Sequence, residues 1–138
     1  MKPDAPCVLV VDDDENIVYA ISHLLEARGC RVLSALSPAA ALAAIQDDEP
    51  HAAVIDIILP GINGLKLAQE LKARWPGCEI VIITGQSSVE TVVESIHQGA
   101  LDYLAKPFGS IEEVWLAVER ALERRAVSVV GRFRSGNR

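Results

Sequence analysis

Short apolar runs alternate with longer stretches of helical period along this chain. Residues 7–11 (CVLVV) hold no polar position and predict a strand buried on both faces. Residues 15–28 follow with Ile17, Ile21, Leu24, Leu25 and Arg28 at helical spacing, and Gly29 supplies the stop. Residues 31–35 (RVLSA) predict a weaker strand at a sheet edge. Ser37 and Pro38 predict the N-cap and first-turn proline of a short alanine-rich helix reaching about Asp47. A third strand is expected over 52–57, a turn over 59–64, and a third helix over 65–75, closed by Pro76-Gly77. Residues 79–84 (EIVIIT) predict a fourth strand. Ser87 or Ser88 then caps a helix whose stripe is Val89, Val92, Val93 and Ile96, ended by Gly99. Residues 101–105 (LDYLA) predict a fifth strand. Ser110 with Glu113 predicts a capping box, and the last helix reaches about Arg125 with Ile111, Trp115, Val118 and Leu122 facing inward.

Five strands in strict alternation with five helices imply an α/β fold, a doubly wound parallel sheet covered by helices on both faces through right-handed crossovers. Ligands on such sheets bind outside the carboxyl ends of the strands, where the strand order switches. Residues 6–125 hold the alternation. Residues 126–138 fall outside it and read as a flexible tail or as a linker to an output module.

Composition sharpens this picture. The chain has 138 residues, half of them hydrophobic, enough for one domain with a real core. No run of eighteen apolar residues predicts a membrane span, and "MKPDAPC" lacks the apolar stretch of a signal peptide. Cys7, Cys30 and Cys78 are odd in number and form no CxxC pair, which suits a reduced, cytoplasmic protein with small buried thiols. The net charge is −6, but residues 124–138 hold five arginines and no acid. The remaining 123 residues therefore carry 8 basic and 19 acidic side chains, a net of −11. Such a body repels nucleic acid.

The candidate chemistry gathers at one edge. Asp12 and Asp13 leave the first strand, Asp56 ends the third, Thr84 ends the fourth and Lys106 follows the fifth. Three carboxylates around a point call for a counter-ion. Oxygen ligands without His or Cys favour Mg²⁺. A lysine and a hydroxyl nearby suit the oxygens of a phosphoryl group. Asp14 and Glu15 read as solvated helix-entry residues. His23, His51 and His97 lie away from this edge and read as structural or surface residues.

Four motifs in order, "VVDDDEN", "VIDIILPGINGL", "IITG" and "DYLAKPF", make residues 6–124 resemble the receiver domain of two-component response regulators. The resemblance implies the flavodoxin-like strand order 2-1-3-4-5. It implies that Asp56 accepts a phosphoryl group from the phosphohistidine of a sensor kinase or phosphotransfer protein, making the chain a signalling domain rather than a turnover enzyme. Asp12, Asp13, Asp56 and the backbone carbonyl of Ile58 would hold Mg²⁺. Lys106 and Thr84 would bind phosphoryl oxygens, with the Gly85 N–H beside them, and a cis peptide before Pro107 would aim the lysine. Thr84 and Tyr103 would form the switch, read out on the face of the fourth helix, fifth strand and fifth helix by an output domain or a second copy. Val114, Ala117 and Ala121 give that face weak support, since a broad core stripe explains them nearly as well. No membrane or nucleic-acid partner is expected for this domain.

Ile58 and Gln86, two residues past Asp56 and Thr84, are less polar than in many receivers, and Leu59 stands where methionine is frequent. The rival readings are a haloacid dehalogenase-like phosphatase, suggested by Asp12-x-Asp14, a flavin-binding electron carrier, and a degenerate receiver serving only as an interaction platform. Asn16 and the better placed Asp56 weigh against the phosphatase. The aromatic content of 4% and the absence of a Ser/Thr-rich loop after the first strand weigh against the flavin carrier.

Overall fold

The computed structural model describes residues 5–46, 48–59, 63–85, 89–97, 99–106 and 109–136, with backbone alone at 89, 91, 92 and 127–136. The element order is β1 (Cys7–Val11), α1 (Glu15–Ala27), β2 (Arg31–Ala35), α2 (Pro38–Ile45), β3 (Ala52–Asp56), α3 (Gly64–Arg74), β4 (Glu79–Thr84), α4 (Val89–His97), β5 (Ala100–Ala105) and α5 (Glu112–Gly136). All strand pairs are parallel and the order is β2-β1-β3-β4-β5. The α/β expectation and the strand order therefore hold, with RVLSA at one edge.

The strand pattern explains the layers. Every residue of β1, β3 and β4 is buried, as expected of strands with helices on both sides. Leu9, Val11, Ala53, Ile55, Ile80 and Ile82 point to one face and pack with Ala41 and Ile45 of α2 and Leu67, Ala68 and Leu71 of α3. Val8, Val10, Val54, Val81 and Ile83 point to the other, against Val18, Ile21 and Leu25 of α1 and Val114, Ala117, Val118 and Ala121 of α5. Each fully buried Leu or Ile contributes about 1.5–3 kcal/mol.

The helix ends follow their local chemistry. Asp14 caps α1 by accepting the Asn16 N–H, and Ser37 caps α2 by accepting the Ala40 N–H. At the far end of α1, Cys30 N–H donates to the Leu25 carbonyl and Gly29 N–H to that of Glu26, with Gly29 at φ 88°. That left-handed turn is the glycine stop the sequence predicts. Arg28 spans α1 and α5, hydrogen-bonding both oxygens of Glu112 and lying over the Trp115 ring.

Several expectations need correction. On α5 the buried stripe is Val114, Ala117, Val118 and Ala121, whereas Trp115 and Leu122 sit half-buried at the margins and Ile111, just before the helix, is exposed. The helix lies across β3 and β4, and small residues on its underside permit close approach. Val114, Ala117 and Ala121 thus belong to the core and offer nothing to a readout face. On α4, Val93 (44%) and Ile96 (63%) are exposed while Ser95 is buried. This helix packs chiefly on the edge strand β5, so part of its apolar stripe overhangs the sheet. The capping box is shifted: Glu113 accepts from the Gly109 N–H, and its own N–H donates to the Ser110 carbonyl. β3 stops at Asp56, one residue early, and α3 starts at Gly64 behind an Asn63 cap. α5 runs on in backbone to Gly136, through most of the segment read as a tail. Asp47, Ser87, Ser88 and the Val89 and Val92 side chains lie outside what is described.

Candidate functional site

Parallel strands end together, so their carboxyl ends converge on one rim. Asp12 follows β1, Asp56 is the last residue of β3, Thr84 the last of β4, and Lys106 follows β5. β1 and β3 are neighbours at the point where the chain order reverses, which is where an open α/β sheet leaves a crevice.

The structure clusters Asp12, Asp56 and Lys106 with Asp13, the residue after Asp12. One carboxylate oxygen from each of Asp12, Asp13 and Asp56 lies within 4.8 Å of the others. Lys106 Nζ donates to Asp56 Oδ2 at 3.1 Å and stands 2.6 Å from Asp12 Oδ2. The Asp12 contact is the closer of the two ion pairs, and it is made to a fully buried carboxylate. The remaining oxygens are committed: Asp12 Oδ1 accepts the Asp14 N–H at 2.9 Å and Asp56 Oδ1 the Ile58 N–H at 3.1 Å. Asp12 and Asp56 are buried and Asp13 is exposed.

The electrostatics follow. Burial raises the pKa of Asp12 above the usual carboxylate value, with Lys106 and the Asp14 N–H opposing it. Burial alone would lower the Lys106 ammonium; its two carboxylate partners outweigh that and hold it above the ordinary lysine value. Three carboxylates against one ammonium leave a charge of −2. The two buried carboxylates, Asp12 and Asp56, repel by roughly 3 kcal/mol at this separation and an effective dielectric of 20.

A hard divalent cation fits this donor set. All the ligating atoms are oxygens, and three carboxylates against one ammonium leave a charge deficit of two.

The other expected residues are placed as follows. Thr84 is fully buried, and its carbonyl accepts the Lys106 N–H at 2.8 Å, which fixes the root of the lysine to the end of β4. Gly85 is an exposed bend after it. Ile58 is 47% exposed beside Asp56. Tyr103 is half-buried on β5, packed against the α2–α3 side of the core. Gln86 and Pro107 lie outside the described residues. Asp14 is the α1 cap. His51 accepts the Cys7 N–H on Nδ1 at 2.9 Å at the opposite end of the sheet, and all three cysteines are buried and free. In the sequence pattern Gly64 falls only in a turn. It packs directly against the Asp56 backbone, and its signal was the glycine at the first position of a helix, where other residues serve as well.

Comparison with known proteins agrees with this architecture. The response regulator receiver domain profile matches residues 8–136. The chain is 34% identical over 123 residues to the probable transcriptional regulatory protein TcrX of Mycobacterium tuberculosis, covering 89% of this chain and 52% of that protein. It is 36% identical over 115 residues to the DNA-binding transcriptional regulator NtrC of Escherichia coli, covering 83% of this chain and 24% of that one. The chain thus spans about half the length of one relative and a quarter of the other. Among solved structures, a CheY-like receiver domain from Methanospirillum hungatei superposes with a TM-score of 0.85 at 28% identity, covering 91% of this chain and 99% of that one. The NtrX structure from Brucella abortus in complex with ADP gives 0.85 at 36% identity, covering 97% of this chain and 30% of that one. Residues 8–136 make this chain a member of the response regulator receiver domain family.

Proposed function

We propose that Asp56 is the phosphoacceptor of a two-component pathway, charged from the phosphohistidine of a sensor kinase or phosphotransfer protein. The observation that carries this reading is the Lys106 ammonium 3.1 Å from Asp56 Oδ2, beside the oxygens of Asp12 and Asp13. An ionised carboxylate is already a nucleophile and needs no general base. An Asp56 oxygen attacks phosphorus, the P–N bond breaks, and the imidazole leaves with its electron pair. Lys106 then balances negative charge on the phosphoryl oxygens. Asp12, Asp13, Asp56 and the Ile58 carbonyl would hold Mg²⁺, which when bound supplies charge neutralisation and orients the phosphoryl group. The buried Thr84 would donate its hydroxyl to another oxygen.

The switch we assign to Thr84 and Tyr103, biased by interactions that only the phosphorylated state makes. Its readout face is α4, β5 and α5. Exposed Val93, Ile96 and Leu116 support that face, as does a cavity of about 220 Å³ lined by Ser95, Ile96, Ala100, Leu101, Asp102 and Tyr103. An output module or a second copy is its expected partner. Residues 126–138 we read as the connector beyond the domain, and the continuous backbone of α5 to Gly136 supports a helical connector. Three buried free thiols suit a cytoplasmic location, and among the described residues no helix is long and apolar enough to cross a membrane. The phosphatase alternative needs Asp14 as an acid–base group, but its carboxylate caps α1.

The test is direct. With Mg²⁺ and a small phosphoryl donor the chain should form an acid-stable, base-labile adduct that maps to Asp56 and is lost in Asp56→Asn. An adduct on Asp12 would favour the phosphatase. No adduct from either donor or kinase would leave the degenerate receiver.

A further inference from the structure

Gly64 opens α3 immediately behind the Asp56 backbone. A Cβ built there would stand 1.9 Å from the Asp56 carbonyl oxygen, 2.8 Å from its carbonyl carbon and 2.9 Å from Ile57 Cα. All three are backbone atoms, so no rotamer change relieves the overlap, and the chain carrying Asp56 would have to move. The constraint is space rather than φ, because among the described residues the positive-φ glycines are Gly29 and Gly99. Three further ties close the same clasp. Gly64 N–H donates to the Ile57 carbonyl at 2.6 Å, Ile58 pairs with Asn63 as an antiparallel bridge, and Asn63 Oδ1 accepts the Leu65 N–H at 2.7 Å. Ile58 in turn donates its N–H to Asp56 Oδ1.

We infer that Gly64 is a positioning residue: its missing side chain lets α3 dock on the Asp56 backbone and sets the Asp56 carboxylate and the Ile58 backbone for Mg²⁺ before the ion arrives. This rests on the reading of Asp56 as the phosphoacceptor in its metal site. A clasp held by packing and backbone hydrogen bonds is preorganised, and a preorganised site spends none of its binding energy on ordering.

Calorimetric Mg²⁺ titration of the wild-type chain, Gly64→Ala and Gly29→Ala tests this. Gly29 sits at φ 88° with open space around it, so alanine there strains the fold far from the metal site. Gly29→Ala should melt lower yet bind Mg²⁺ within twofold of wild type, whereas Gly64→Ala should bind at least tenfold more weakly. Wild-type affinity in Gly64→Ala overturns the inference. Because Gly64→Ala could fail to fold, hydrogen exchange on the wild-type chain provides an independent decision. The Gly64 amide should exchange as slowly as the β3 amides without Mg²⁺. Fast exchange that slows only on adding Mg²⁺ would show that the ion builds the clasp, and would overturn the inference as well. A chain that binds Mg²⁺ but forms no phosphoryl adduct defeats the functional reading alone; one that binds no Mg²⁺ defeats both.

Discussion

Replacing Asp13 with asparagine should stabilise the metal-free protein while removing most of its response to Mg²⁺. Asp13 places a carboxylate oxygen within 4.8 Å of both Asp12 and Asp56. Lys106 meets the other two carboxylates, and among the described residues Asp13 has no ion pair of its own. Its side chain faces water, so the water-like end of the dielectric range applies: about 0.9 kcal/mol per pair at that separation, and roughly 2 kcal/mol for both. The separation is well inside the Debye length at 0.1 M salt, so screening takes only part of this. A net gain of about 1–2 kcal/mol should raise Tm by about 3–7 °C for a chain of this size. Thermal unfolding followed by circular dichroism in EDTA reads the first effect, and the same melt in millimolar Mg²⁺ reads the second. Mg²⁺ bound at the proposed site should raise the wild-type Tm by mass action on the folded state, and in Asp13→Asn that rise should largely vanish. A variant that melts at or below wild type in EDTA, or that keeps the full Mg²⁺ shift, would refute the claim that these three carboxylates repel one another around a shared cation.

Ile58 lies exposed beside Asp56. If Asp56 carries the phosphoryl group as proposed, this apolar side chain would obstruct attacking water, so Ile58→Asn should shorten the lifetime of the adduct; an unchanged half-life in a radiolabel chase removes that role. His51 is held neutral by burial first and by Arg125 second, and its Nδ1 accepts the Cys7 N–H, so its folded pKa is depressed below about 6.5. Stability from it is therefore present above that value and lost as pH falls below it, with a slope of at most about 1.4 kcal/mol per pH unit. His51→Asn can keep the acceptor without titrating, and should flatten the denaturant midpoint between pH 5 and 7. The phase of α5 is testable by denaturant melts: Val114→Ala should cost about 2 kcal/mol from a fully buried site, and Leu116→Ala, on the exposed side, under about 0.5 kcal/mol.

Much of the fold was legible because its signals are local. Buried parallel strands need unbroken apolar runs, so CVLVV and EIVIIT declare themselves with their bounds. Gly29, Ser37 and Pro38 mark helix ends through backbone conformation and missing donors, which act within a few residues. The convergence of Asp12, Asp56, Thr84 and Lys106 on one rim was legible too, since parallel strands must end on the same side. What the sequence could not fix is rotation and distance. Helix α5 carries apolar side chains over more than half its circumference, so period alone left two faces open. Only docking on β3 and β4 selected the alanine-rich one and pushed Trp115 and Leu122 to the margin. The exposure of Val93 and Ile96 likewise depends on β5 being the last strand, a property of the sheet and not of the helix. The approach of Lys106 to both Asp12 and Asp56, and the absence of room for any side chain at Gly64, arise from segments far apart in sequence. Local periodicity determines which elements form and which residues top each strand, while the separations that decide charge, metal fit and clearance exist only once the strands are side by side.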